Sequence, residues 1–400
     1  MAKVKSYKVG YSYWGYLGDY KFDTYGNLAS TPDGNAFYST SIICMLLFRG
    51  FEVIQVMPDR DRHGYVKFGD LLFNSWGYSM RSTAYDCMKK NPVEMGGSAF
   101  EHSLTKKFYE DVEAYWYRSG LDKADFILHE WRFPIAGRNT SEAFCSDYID
   151  FQPDLRIQDI LIDFCAKNNV QLVIFDLDYK MTNDDYDNLK RMAVNFKIIE
   201  LGHAYENGAI DNGYHVEIPF NWNVMMTEYN DDTSHKEYDI VYVGNQYERD
   251  ESFKKYFGNA RAAIYGKWFK DLDNYKQCAF FGRIHPAQIP AAYSKALATV
   301  LIAKPEYYKN SFMTARILEA VFYGAVPFFA EEYGSDTIAK YAGDFASFLV
   351  VNDGDDLQRK AELLKKEDYS LYKSMLSYLR DHLRFMSANN FVNRLLEIVS

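Results

Sequence analysis

Ser311-Phe312-Met313-Thr314-Ala315-Arg316-Ile317-Leu318-Glu319-Ala320-Val321-Phe322-Tyr323-Gly324-Ala325-Val326-Pro327 is the most informative stretch of this chain. Thr314–Tyr323 reads as a helix, and Gly324 stands where a helix stops. Thr314 is of the type that caps a helix start, and free N–H groups at such a start attract a diphosphate. Arg316, in the first turn, can pair with a phosphate. Glu319 lies three residues on along the same face and can accept both hydroxyls of a ribose. After Gly324, Ala325–Phe329 reads as a strand. The plain structural alternative is an Arg–Glu pair at a helix start, with no ligand.

The surrounding sequence alternates in the same way. Tyr238–Val243 is strand-like and ends in Gly244-Asn245, and a helix follows over Glu248–Tyr256. Arg261–Tyr265 is a strand before Gly266. Ile289–Lys295 is a helix opening at Pro290, and Ala298–Ala303 is a strand. Phe345–Val351 reads as the final strand, with helices from there to Ser400. Such alternation builds a parallel sheet covered on both faces. Ligands of these sheets sit beyond the carboxyl ends of the strands. That rule selects Gly244–Arg249, Gly266–Trp268, Lys304 and Ser311–Arg316.

The Ser311–Pro327 segment resembles the R-x-x-E-A-x-x-x-G-x-x-P element of nucleotide-sugar glycosyltransferases with the GT-B fold. Three further segments extend the resemblance. Tyr238–Arg249 looks like the strand and glycine turn that open a donor domain. Ile264-Tyr265-Gly266-Lys267-Trp268 looks like the turn that meets the nucleobase. Gly282-Arg283-Ile284-His285-Pro286, leading into Ile289–Ala296, looks like the helix before the donor loop. Together they resemble the CgeB-like branch, and bacteriophage glycosyltransferases in particular, over roughly residues 238–350. The glycine-rich turn of many such enzymes is reduced here to one glycine before Asn245.

The resemblance implies an α/β protein of GT-B type, with two Rossmann-like doubly wound domains facing a central cleft. It implies a nucleoside diphosphate sugar, with UDP-sugar favoured, as co-substrate and no obligatory metal. The expected donor-binding residues are Gly244, Asn245, Arg249, Tyr265, Lys267, Trp268, Arg283, Lys304, Ser311, Met313, Thr314, Arg316 and Glu319. Charge builds on the diphosphate as the sugar departs, so helix amides and Arg316, with Arg249 or Lys304, are expected to stabilise it. Whether the anomeric centre is retained or inverted stays open.

The first half shows α/β alternation of its own. Strands are expected at Tyr7–Tyr13, Phe51–Met57, Ala124–Glu130, Gln171–Phe175 and Phe196–Leu201. Helices are expected at Asn35–Arg49, Leu104–Arg118, Leu155–Asn168 and Asp185–Val194. Residues 203–236 are rich in Asn and Asp and read as the linker. The expected domains are 1–220, with an insertion around 58–107, and 237–385. A last helix over 386–400 can pack back on the first domain.

Acid–base candidates follow strands in the first half: Asp19, the pair His129 and Glu130, and the pair Asp176 and Asp178. Carboxylates at a strand end can hold Mg²⁺ or act as a base, and equally often cap their own loop. Asp176-Leu177-Asp178 resembles the DxD element of other glycosyltransferases. It also resembles the first motif of haloacid-dehalogenase-type phosphatases, but that pattern fails because Lys180 stands where Thr or Val belongs. No HxxxH, HExxH or clustered Cys/His spacing occurs, so no built-in zinc site is expected.

The 400 residues carry 45 Lys+Arg against 55 Asp+Glu, and the balance is uneven. Residues 139–240 hold 7 basic and 20 acidic side chains, whereas residues 60–107 hold 8 basic and 5 acidic. That basic stretch interleaves Arg60, Arg62, Lys67, Arg81, Lys89, Lys90, Lys106 and Lys107 with Tyr65, Phe68, Phe73, Trp76, Tyr78, Tyr85 and Phe100. Basic residues among aromatics can grip a phosphate backbone and stack on bases. A solvated surface is the ordinary alternative. Arg60, Arg62, Trp76, Lys89, Lys90 and Arg132 are the acceptor-binding candidates.

Five cysteines without a CxxC pair suit a reducing compartment. The longest apolar run, Ile42–Phe48, is too short for a membrane helix. These features give the expectation of a monomer in the cytoplasm, the host's if phage-encoded, without membrane partners. The resemblance to bacteriophage enzymes, taken with the basic stretch, implies as favoured acceptor a 5-hydroxymethylated pyrimidine in double-stranded phage DNA, reached by flipping the base out. A protein or polysaccharide acceptor is the second reading. A catalytically inactive nucleotide-binding interaction module is the third.

Overall fold

The computed structural model describes residues 7–12, 21–22, 28–30, 35–56, 59–60, 66–67, 106–131, 152–205, 210–220, 232–268, 270, 272–284 and 288–400. The described residues fall into two units, one running up to Phe220 and rejoined by Ala388–Ser400, the other ending at Ser387.

The described residues of the first unit build a sheet of six strands: β1 (Lys8–Ser12), β2 (Glu52–Gln55), β3 (Phe126–Glu130), β4 (Gln171–Phe175), β5 (Phe196–Glu200) and β6 (Gly213–His215). Their order is β6-β5-β4-β3-β1-β2, and every neighbouring pair is parallel. The winding reverses between β1 and β3, which makes their carboxyl ends the switch point. Every residue of β3 is buried, as expected of a strand covered on both faces. Helices α1 (Asn35–Phe48), α2 (Lys106–Ser119), α3 (Gln152–Asn168) and α4 (Asn183–Arg191) connect the strands. Trp116 is fully buried and donates its indole N–H to Val56 O at 3.0 Å, tying α2 to the end of β2. Two short antiparallel ribbons, Lys21–Phe22 with Leu28–Ser30 and Asp59–Arg60 with Val66–Lys67, lie outside this sheet.

The start of α4 differs from the expected Asp185. Thr182 and Asp185 form a reciprocal capping box that begins the helix two residues earlier. Ala193, at φ 55°, ends it before Val194. The supposed linker is corrected as well. Gly213–His215 pairs with β5, so part of 203–236 belongs to the first sheet, and the units divide after Phe220. The strand has only three residues amid polar neighbours, and its apolar signal is correspondingly weak.

The second unit also holds six parallel strands: β7 (Tyr238–Val243), β8 (Ala262–Tyr265), β9 (Ala279–Phe280), β10 (Ala296–Leu301), β11 (Val326–Ala330) and β12 (Val350–Val351). The order β9-β8-β7-β10-β11-β12 is the doubly wound 3-2-1-4-5-6 arrangement, with its switch point between β7 and β10. Besides a helical turn at Ala346–Leu349, the described residues of this unit form helices α5 (Asp250–Phe257), α6 (Ile289–Ser294), α7 (Pro305–Lys309), α8 (Arg316–Phe322), α9 (Ser335–Ala342), α10 (Gly354–Leu363) and α11 (Lys366–His382). The expected strand Phe345–Val351 is largely wrong. Ala346–Leu349 is a helical turn, and only Val350 and Val351 pair with β11. A short apolar run fits a buried helix turn as well as a strand, and here the helix wins.

Gly324 closes α8 at φ 80° and draws several segments together. Its carbonyl accepts from Lys236 Nζ at 2.6 Å and from the Tyr372 hydroxyl at 2.7 Å. The last helix, α12 (Ala388–Val399), belongs to the first unit. Ala388 N–H donates to Phe220 O at 2.9 Å, Arg49 donates to Asn393 Oδ1 at 2.7 Å, and the Phe391 ring lies 5.6 Å from that of Phe175.

Candidate functional site

The switch point of the second sheet is built from two glycine turns. Gly244, just after β7, donates its N–H to Tyr265 O at 2.8 Å. Its carbonyl accepts the Trp268 indole N–H at 2.7 Å. Gly266, at φ 140°, packs so closely that a Cβ there would stand 1.9 Å from Gly244 O. Only glycine satisfies both the backbone angle and the approach. Asn245 Oδ1 accepts from Lys267 N–H at 2.9 Å, fixing the second turn to the first. The Trp268 ring lies 3.8 Å from Phe253, so it anchors the turn to the core through α5. Tyr265 stacks on Phe281 at 4.9 Å, and Lys267 stays exposed.

Two arginines converge behind the Gly244 turn. Arg249 is buried, and its Nη1 donates to Asn245 O at 3.2 Å and to Tyr247 O at 3.0 Å. Its Nε is shut off from solvent with no acceptor among the described residues. Arg316 opens α8, with Nη2 3.0 Å from where a Gly244 Cβ would be. Its Nη1 is likewise buried without an acceptor among the described residues, as is the hydroxyl of Tyr242, whose ring centre lies 5.6 Å from the guanidinium. Burial works against charge on Arg316, but the oxygens of Tyr242, Tyr293, Glu319 and Tyr333 around it hold it more firmly protonated. Burial pushes the Tyr333 phenol up, while both arginines pull it down, so their fields meet there. Buried donors of this strength without partners are costly, and a native fold keeps them where something else completes the bonding.

The Ser311–Arg316 loop adds backbone donors. Ser311 adopts φ 53°, and α8 begins at Arg316 with Ala315 in the cap position. The expected Thr314 cap is therefore corrected: its carbonyl accepts from Ile317 N–H at 3.3 Å, but its side chain caps nothing. Among the described residues, none accepts from the N–H of Thr314, Ala315 or Arg316. Met313 is wholly buried, so its side chain is core. Glu319 is buried on the first turn of α8, close enough to Arg316 to help hold its charge. Arg283 is half-buried, next to Gly282, whose carbonyl accepts from Gly266 N–H at 2.8 Å. Lys304 follows β10 and pairs with Glu248 Oε2 at 3.2 Å.

The first-unit candidates whose side chains are described, His129, Glu130, Asp176 and Asp178, are all engaged. His129 lies at the β1/β3 switch point, with Nδ1 2.7 Å from Ser12 Oγ and Nε2 3.0 Å from Gln158 Oε1. Glu130 is buried and accepts from Ser39 Oγ at 2.6 Å and from the Tyr11 hydroxyl at 3.3 Å. Asp176 holds its own loop. Its oxygens accept from Lys180 N–H and Met181 N–H, both at 2.9 Å, and from the Tyr205 hydroxyl at 2.6 Å. Burial raises its pKa, against the pull of these three donors. Asp178 is half-buried beside it. Arg60 lies in the short Asp59–Arg60 strand. Asp19, Arg62, Trp76, Lys89, Lys90 and Arg132 lie outside the described residues. Among the described residues, no group of three His, Cys, Asp or Glu is placed to hold a metal ion.

No protein-family model matches the chain, and no curated protein matches it by sequence. Solved structures do. Bacteriophage T4 β-glucosyltransferase in complex with UDP and Mn²⁺ superposes with a TM-score of 0.58 at 14% identity, covering 98% of this chain and 99% of that one. A structure of the same enzyme from a study of substrate binding and catalytic mechanism gives 0.56 at 14% identity and the same coverage. Its structure as a DNA-modifying enzyme, with and without uridine diphosphoglucose, gives 0.55 at 14% identity, again over 98% and 99% of the two chains. This chain has the GT-B fold. The switch point of its second GT-B sheet carries the two buried arginines and the loop amides that have no acceptor among the described residues.

Sequence reasoning did not assign a role to Tyr242, Glu248 or Tyr333. Tyr242 reads as an ordinary core strand residue, and it is marked by its hydroxyl beneath Gly244, which has no partner among the described residues. Glu248 is marked by a left-handed backbone, φ 53°, which no sequence pattern encodes for glutamate.

Proposed function

We propose that this GT-B protein is a glycosyltransferase whose second unit binds a nucleoside diphosphate sugar, UDP-sugar by preference. The observation that carries the reading is the pair of buried guanidinium groups behind the Gly244 turn, in which Arg249 Nε and Arg316 Nη1 have no acceptor among the described residues. A diphosphate offers these donors charged acceptors. It also offers acceptors to the N–H groups of Thr314, Ala315 and Arg316. Charge accumulates on the diphosphate as the glycosidic bond breaks, and these fixed donors meet it without reorganising. Glu319 takes the ribose hydroxyls. Arg249 acts mainly by holding the Asn245–Tyr247 loop in shape. Donor binding in this reading rests on cations and amides of the chain and needs no divalent ion.

The acceptor we favour is the hydroxyl of a 5-hydroxymethylated pyrimidine in double-stranded DNA. The likeness in fold to a DNA-modifying glucosyltransferase and the basic, aromatic 60–107 stretch support it. Among the acid–base candidates with described side chains, Asp178 is the least buried at a strand end. Asp176 is committed to its loop.

The test is mass spectrometry of nucleosides from hydroxymethylated duplex DNA incubated with the protein and UDP-glucose, with and without EDTA. A hexose-bearing nucleoside in both arms is expected. Donor turnover without DNA modification would move the acceptor to another hydroxyl class. Absence of UDP binding by calorimetry would overturn the reading.

A further inference from the structure

The loops that flank the second switch point are joined by an ion pair. Glu248 follows β7 and Lys304 follows β10, the two adjacent strands between which the winding reverses. Lys304 Nζ lies 3.2 Å from Glu248 Oε2, and 4.7 Å and 5.5 Å from the ring centres of Tyr247 and Tyr307. The Lys304 side chain is only 18% exposed, whereas that of Glu248 is 50% exposed. The cation is thus sheltered at the crevice while its carboxylate partner stands at the edge. Glu248 holds this place with a left-handed backbone, φ 53°, that glutamate rarely adopts.

We infer that Glu248 is an internal counter-ion, which occupies Lys304 when the site lacks a nucleotide and yields it to the diphosphate on binding. The inference rests on the nucleotide-binding reading above and adds a mode of exchange to it. A half-exposed pair of this kind holds weakly, so a charged ligand can displace it. Among the described residues, Arg316 Nη1 and the loop amides have no hydrogen-bond acceptor to give up, whereas Lys304 has Glu248. Re-forming the Glu248 pair offsets part of the loss of the Lys304–phosphate contact, so Glu248 also favours departure of the nucleoside diphosphate after transfer. Glu248 acts through Lys304 and is a positioning residue.

The experiment is calorimetric titration of UDP into the full-length wild type, Glu248→Gln, Lys304→Met and the double variant. Glu248 is exposed, and glutamine keeps its size, so the variant is expected to fold, with its circular dichroism spectrum and melting temperature as controls. Glu248→Gln should bind UDP about three- to fivefold tighter. The gain should vanish in the Lys304→Met background, which a purely structural role would not produce. Equal UDP affinity in wild type and Glu248→Gln, or a gain that persists without Lys304, would overturn the counter-ion role and leave the nucleotide reading standing. UDP binding by none of the four proteins would overturn both.

Discussion

A Cβ on Gly266 would stand 1.9 Å from the carbonyl oxygen of Gly244, so the turns after β8 and β7 are interlocked. Gly266→Ala must both adopt φ 140° and push the Gly244 peptide away. Strain and displacement together should cost about 2–4 kcal/mol of stability. Urea denaturation measures it, and an unchanged midpoint would show that the turns are not coupled. UDP affinity should fall as well, because Gly244 covers Arg316.

Arg316 is expected to separate function from stability. Its Nη1 is buried without an acceptor among the described residues, so Arg316→Met removes an unsatisfied donor, while Glu319 loses the positive charge beside it. Relief of the unsatisfied donor and loss of the charge beside Glu319 oppose each other, so the variant should stay within about 1 kcal/mol of wild type. Its UDP affinity should drop by about 1.5–3 kcal/mol, and Glu319→Ala should show a loss of the same size. Calorimetry beside thermal melts checks both. Full affinity in folded variants would remove these residues from the site.

Asp176 gives a pH signature. Burial raises its pKa above the ordinary 3.8, while the Tyr205 hydroxyl pulls it back by bonding the carboxylate. A raised value in the folded state means that the group's contribution is full below 3.8 and is lost as pH rises through the folded value. Tyr205→Phe removes a donor to the ionised form and moves the folded value higher still. The variant should lose about 1–2 kcal/mol at neutral pH, and the deficit should narrow as pH falls through the folded value towards 3.8. Urea midpoints for both proteins across that range decide it, and a deficit independent of pH would contradict the assignment.

The acceptor prediction concerns Lys89 and Lys90. If DNA is the acceptor, these residues contact phosphates, and binding weakens as salt rises. The Lys89→Gln/Lys90→Gln double variant should raise KM for hydroxymethylated duplex and leave UDP affinity unchanged. Fluorescence anisotropy at two salt concentrations tests the DNA side. Salt-insensitive or absent DNA binding, with no DNA-dependent turnover, would remove nucleic acid as acceptor without touching the donor site.

The sheets were legible because buried parallel strands such as Gln171–Phe175 and Tyr238–Val243 are short apolar runs bounded by turn residues. Gly324 and Thr182 mark helix ends by local chemistry, although the Thr182 capping box escaped notice. What stayed hidden depends on distance in sequence. β6 is fixed by pairing with β5, not by its own composition. The Ala346–Leu349 turn and the Val350–Val351 pair share one apolar run, and only β11 decides where the strand begins. At the site, Arg316 and Glu319 stood out by spacing. Tyr242 and the Glu248–Lys304 pair did not, because their meaning lies in which strands become neighbours.

The placement of α12 in the first unit has a consequence for how the protein is made. Phe391 and Asn393 complete contacts with Phe175 and Arg49, yet a ribosome synthesises them only after the entire second sheet. Until then the nascent first unit has its six strands but lacks a cover over part of its apolar surface. Its maturation is therefore a late event in translation, and premature release before Ala388 leaves the older half of the polypeptide, not the younger, as the client for chaperones.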